Sequence, residues 1–130
     1  MPRDDTPSTK PLIDKLGVKP GMRVAVIEVR DAEFLRELAD RAQVLNKPTK
    51  GIEMVFLGVA GPADMRRLAK LKETIARDGA IWVIFRKGRK DFNENDVLRL
   101  GLESGLVDVK VVRFSDTHTA LKYVIRKAER

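Results

Sequence analysis

The sequence predicts an α/β protein, a three-layer sandwich in which a mostly parallel, twisted sheet of about five or six strands ends in an antiparallel hairpin. Three observations carry that expectation. Two near-continuous apolar runs, IEMVFLGV at 52–59 and AIWVIF at 80–85, read as strands covered on both faces. Segments with apolar residues three and four apart alternate with them and read as crossover helices. The final runs, VDVKVVRF and TALKYVIR, flank the short polar turn SDTH and read as a hairpin.

The elements follow in order. PLIDKLGV reads as a short helix stopped by Gly17, and Lys19, Pro20 and Gly21 turn the chain into a strand over 23–29. From Asp31, whose carboxylate suits the first helical N–H groups, Phe34, Leu35, Leu38, Ala39 and Ala42 form one apolar stripe. A weak strand over 43–45 and the turn-rich NKPTKG come next. After the strand at 52–59, Pro62 suits a first helical turn, and Met65, Leu68, Leu71, Lys72 and Ile75 mark the inner face and edge of a helix that Asp78 and Gly79 stop. Of its cations Arg66, Arg67, Lys70 and Lys72, most read as the wet side. Asn93 and Asp96, three apart, resemble a capping pair for a helix with Val97, Leu98, Gly101 and Leu102 on one face, ended by Gly105.

At 130 residues the chain suits one domain over 12–130 behind a loose polar tail, 1–11, which has no apolar core of the kind a secretory signal needs. Without cysteine there are no disulfides, thiolate metal sites or thiol nucleophiles, and a cytoplasmic location is expected. The longest apolar stretch, 80–85, is far short of the roughly 20 residues a membrane helix needs. A net charge of +7 favours anionic partners, whether small molecule or protein. Few aromatic residues and no single-strand-binding motif leave only weak, non-specific nucleic-acid attraction.

In such sheets ligands bind outside the carboxyl ends of the strands, which directs attention to residues 28–31, 58–62, 86–90 and 115–119. The run RKGRK brings Arg86, Lys87, Arg89 and Lys90 to one strand end, where a guanidinium fork and an ammonium could hold a phosphate; the plainer reading is a solvated loop. SDTHT holds Asp116 and the only histidine, His118, at the hairpin tip. A capped turn is the plainer reading there, and no G-x-S-x-G strand-to-helix turn supports hydrolysis. Glu28 and Arg30 could pair locally.

The stretches LGVKPGMRVAVIEV, ETIARDGAIWVIF and ESGLVDVKVVRFSDTHTALKYVI resemble, in order, three pieces of class I S-adenosylmethionine-dependent methyltransferases, and PLIDKLGVKPGMRVAVI, DGAIWV and VVRFSDTHTALK look like a family of small bacterial proteins of unknown function. The resemblance implies a shortened Rossmann-like scaffold, lacking about one strand and helix between its first two certain strands. It also locates where cofactor chemistry would sit. The glycines of the family's GxGxG loop fall on Glu28, Arg30 and Ala32. The ribose-binding acid has no counterpart in QVLNKPTKG, and GVAGPAD stands where an Asp/Asn-Pro-Pro-aromatic motif would. No cofactor is therefore expected, with S-adenosylmethionine as the alternative. The chain reads as a non-catalytic module binding an anionic ligand or partner through Glu28, Arg30, Arg86, Lys87, Arg89, Lys90, Asp116 and His118; a divergent methyltransferase is the second reading.

Overall fold

The computed structural model describes residues 10–130 and the backbone of Arg3 and Asp4. Its strands are β1 (Arg3–Asp4), β2 (Arg23–Ile27), β3 (Gln43–Leu45), β4 (Ile52–Val59), β5 (Ile75–Arg86), β6 (Leu106–Arg113) and β7 (His118–Ile125). They form one sheet in the order β1-β6-β7-β5-β4-β2-β3. Every neighbouring pair is parallel except those made by β7, which runs antiparallel to both β5 and β6. The hairpin is therefore inserted between β5 and the far edge. The weak strand over 43–45 is in the sheet, paired with β2, and the six longer strands match the expected number. β1 adds two residues beside β6, in the region expected to be a loose tail; the rest of that tail up to residue 9 lies outside the described residues.

Helices α1 (Leu12–Lys15) and α2 (Ala32–Arg41) cover one face. There Ile13, Leu16, Phe34 and Leu38 pack on Val24, Met54, Phe56, Trp82 and Ile84. On the other face lie α3 (Pro62–Met65), α4 (Arg67–Thr74) and α5 (Glu94–Glu103). Their Met65, Leu68, Leu71 and Val97 pack on Val55, Leu57, Ile81, Val83 and Phe85. In the runs 54–57 of β4 and 80–85 of β5, successive residues that point to opposite faces are thus all buried, which explains why these strands read as continuous apolar runs rather than alternating ones.

Polar atoms in the core are partnered. The Trp82 indole donates to the Leu16 carbonyl at 3.0 Å, tying α1 to the centre of the sheet, and the Tyr123 hydroxyl donates to the Val97 carbonyl at 2.7 Å. Gly101 lets the Tyr123 ring lie against α5, since a Cβ there would stand 2.2 Å from the ring. The caps follow the sequence: Asp31 accepts from the Phe34 N–H at 3.1 Å, and Asn93 and Asp96 form a reciprocal capping box.

Three local expectations are corrected. The helix after Pro62 is broken at Arg66 and ends at Thr74, and Ile75 opens β5 instead of closing the helix. Its spacing from Leu71 suits a helix, but pairing with Ile52 wins; residues 76–79 then form a bulge, with the register passing from Ile52–Ile75 to Met54–Ala80. Gly79 belongs to that bulge, where a Cβ would stand 2.9 Å from the Ala76 carbonyl. β2 stops at Ile27 rather than at 29, because Glu28 turns left-handed with φ 58°. Leu102 faces solvent, and Leu100 packs against the core instead.

Candidate functional site

The connection from β2 leads to α2 on one face, whereas that from β4 leads to α3 on the other. Two adjacent parallel strands thus send their chains apart at their carboxyl ends, and the divergence opens a crevice. A cleft of about 530 Å³ lies there. The β2 exit, residues 28–31, supplies one wall; residues 58–60 with Asp64 and Arg67 supply another; and the hairpin tip, with Phe114, Ser115, Thr117 and His118, closes a third side.

The two loops meet closely at the floor. Glu28 is the one non-glycine residue with positive φ among the described residues, and its carbonyl oxygen would stand 2.1 Å from a Cβ at position 58. Gly58 is therefore required by contact rather than by its own backbone angles. The left-handed conformation at Glu28 stores about 1 kcal/mol of strain, which the packing of the β2 exit against β4 sustains. Above it, Arg30 donates to the Glu28 carboxylate at 2.9 Å, in a pair whose side chains are 81% and 52% exposed.

The carboxylates of the lining are each engaged. Besides Glu28, Asp31 accepts from the Phe34 N–H and Asp64 accepts from the Ala60 N–H at 2.8 Å. Arg67 is expected on the wet side of its helix, but it lines the cleft and makes no ion pair among the described residues.

At the hairpin tip, Ser115 Oγ accepts from the Thr117 and His118 N–H groups at 3.3 and 3.1 Å, and the Thr117 hydroxyl lies 2.7 Å from His118 Nδ1. His118 stands opposite Arg86 in the β5–β7 ladder, and the Lys87 N–H donates to the Thr117 carbonyl at 3.0 Å, fastening the tip to the β5 exit. Partial burial, and then the charges of Arg86 and Lys87, lower the His118 pKa below its ordinary value; Asp31 pulls it the other way.

The sequence-derived site residues therefore divide. Glu28, Arg30 and His118 line the cleft, and Arg86 and Lys87 flank it beside His118. Lys90 is exposed and outside the lining. Arg89 serves the structure: it holds both Asp91 carboxylate oxygens, at 3.1 and 2.7 Å, donates to the Ala60 carbonyl at 2.5 Å, and depresses the Asp91 pKa. Asp116 takes Arg113 at 2.6 Å and is not in the lining. Missed as site residues were Asp64 and Arg67, whose only sequence signal was nearness to the loop at 58–62; Gly58 lies in that expected loop, but its role is set by a residue thirty positions away. Among the described residues no group of three or more His, Asp or Glu could hold a metal ion, and no helix is long and apolar enough to cross a membrane.

Sheet order, antiparallel β7 and a cleft at the divergence of β2 and β4 define the Rossmann-like fold of class I methyltransferases. Solved structures agree. A SAM-dependent methyltransferase from Aquifex aeolicus superposes with a TM-score of 0.69 at 13% identity, covering 88% of each chain. A TehB-like SAM-dependent methyltransferase from Corynebacterium glutamicum gives 0.52 at 12%, covering 88% of this chain and 85% of that one. PigF, solved with SAH, gives 0.58 at 9%, covering 81% and 56%. No family model matches the chain, and no curated protein matches it significantly, so this likeness is one of fold.

The cofactor these enzymes share fits the present loops poorly. The Glu28–Arg30 pair stands over the loop where glycines would admit it, and β3 is followed by exposed Asn46 and Lys47 where a ribose-binding carboxylate would be.

Proposed function

We propose that the protein is a ligand-binding module on a methyltransferase-like fold, taking a small anionic molecule in the cleft between the β2 exit, the head of α4 and the hairpin tip. One observation carries this reading. The carboxylates lining the cleft are engaged by Arg30 or by backbone N–H groups, while Arg67, and Arg86 and Lys87 beside His118, make no ion pair among the described residues. The cleft's volume lies in the range of small-molecule sites, which favours a compact ligand over a protein segment. Melting temperature measured against a panel of small phosphates, sulfates and carboxylates at millimolar concentration tests the reading. A rise that Arg67→Glu abolishes is expected; no rise with any anion, or one that survives the charge reversal, would refute it.

The alternative, a divergent S-adenosylmethionine-dependent methyltransferase, is favoured by the fold and by Glu28, which keeps a left-handed backbone where the resembled family carries a glycine. Calorimetric titration with S-adenosylhomocysteine separates the two. Saturable one-to-one binding at micromolar concentration supports the enzyme, and no heat up to millimolar supports the anion-binding module.

A further inference from the structure

We propose, resting on the anion-binding reading, that the corner formed by Arg86, Lys87 and His118 receives a phosphoryl group as its dianion, and that His118 takes up a proton from solvent as the group binds. Three features of the corner carry the inference. It is preassembled: Arg86 and His118 are directly opposed across the β5–β7 ladder, and the Lys87 N–H to Thr117 carbonyl bond fastens the β5 exit to the turn that presents the histidine. The ring is oriented, with Nδ1 held 2.7 Å from the Thr117 hydroxyl and Nε2 without a hydrogen-bond partner among the described residues. The charges are also unbalanced, since Arg86 and Lys87 act on the ring from the β5 side and, among the described residues, only Asp31, from the head of α2, opposes them.

The remaining charged groups of the cleft leave that imbalance in place. Glu28 is held by Arg30 and Asp64 by the Ala60 N–H, while on the hairpin itself Asp116 is held by Arg113. Arg67 on the opposite wall adds a further positive charge.

In the free protein partial burial, and then the charges of Arg86 and Lys87, disfavour a positive charge on the ring, so the neutral imidazole is favoured near pH 7. A dianion between them reverses the sign of the local field. Protonated Nε2 can then donate to a phosphoryl oxygen while Arg86 and Lys87 neutralise the rest. A monoanion offers too little charge to satisfy two cations and an imidazolium, so carboxylates should be discriminated against.

His118 is the only histidine, so its ring proton resonance titrates in isolation. Its midpoint is measured by NMR in chloride, acetate, sulfate, inorganic phosphate and phenyl phosphate at matched ionic strength, with the Gly58 and Ala60 amides monitored in the same samples. The expected result is an upward shift of about one pH unit or more in phosphate and sulfate, and little change in acetate. A larger shift in phenyl phosphate would indicate that the phosphoryl group arrives on a molecule filling the rest of the cleft. In the Arg86→Gln/Lys87→Gln variant the midpoint of the free protein should rise, and the phosphate-induced shift should disappear. Amide shifts with an unmoved His118 midpoint, or an equal midpoint shift in acetate, overturn the proton-coupled phosphoryl site while leaving anion binding intact. Amides and midpoint that respond to no anion overturn both.

Discussion

The β2 and β5 exits leave the same edge of the sheet, and each contains one residue in the left-handed region, but they meet that demand in opposite ways. At the β5 exit the residue is Gly88, with φ 82° and open space where a Cβ would go; at the β2 exit it is Glu28, with φ 58°, pressed against Gly58. Charge is also handled differently. The β5 exit holds four cations in five residues, yet Arg89 is bound to Asp91 and the Ala60 carbonyl, and Lys90 lies outside the cleft. The β2 exit holds fewer charges but stands where strand connections diverge, and all of residues 28–31 line the cleft. Position in the topology, more than density of charge, decides which residues line the cleft.

The strongest way to break this arrangement is Gly58→Ala. Its Cβ would overlap the Glu28 carbonyl, and a loss of about 3 kcal/mol is expected in denaturant unfolding, together with loss of anion binding; an ordinary, near-neutral change would mean the β2 exit is free to move. Next comes the contrast between arginines. Arg67→Ala should weaken phosphate binding about tenfold, near 1.4 kcal/mol, in calorimetric titration, whereas Arg89→Ala should leave it within about twofold. The two left-handed residues can then be exchanged in kind. Gly88→Ala should destabilise by about 1 kcal/mol through backbone strain alone. Glu28→Gly should stabilise by about 0.5 kcal/mol, the relief of strain exceeding the loss of an exposed ion pair.

The smallest effect is the pH dependence from His118. Its folded pKa lies below its unfolded value near 6.5, so the unfolded chain binds the proton first as pH falls. Its contribution is fully present above about pH 6.5 and is lost as the pH falls towards the folded value. The melting temperature should accordingly drop more between pH 7 and 5.5 than that of His118→Gln; parallel curves would show that the ring is not held neutral by its surroundings.

Legibility in the sequence followed the range of the interaction concerned. The caps at Asp31 and Asn93, the hairpin around SDTH and the buried strands at 52–59 and 80–85 are governed by residues within a few positions of one another, and all were readable. Ile75 was misread because helical spacing from Leu71 is a local signal, while pairing with Ile52 is not. Arg89 looked available because its partner Ala60 is 29 residues away, although Asp91 stood close enough to give warning. Arg67 looks like surface when its helix is taken as one amphipathic rod. The break at Arg66 and the course of β4 bring it to the cleft.

By itself, then, the sequence determined the layers of this protein: apolar runs long enough for buried strands, amphipathic stripes to cover them, and turn residues to separate them. It also determined that the glycine loop of the resembled methyltransferases is absent, since three side chains stand in its place. Only the tertiary structure decided where the cleft lies, which cations beside it make no ion pair among the described residues, and that Glu28 takes a glycine's backbone conformation. The reason is physical. Strand order and the Glu28–Gly58 contact come from packing between segments distant in sequence, and a side chain's availability depends on partners that such packing alone brings within reach.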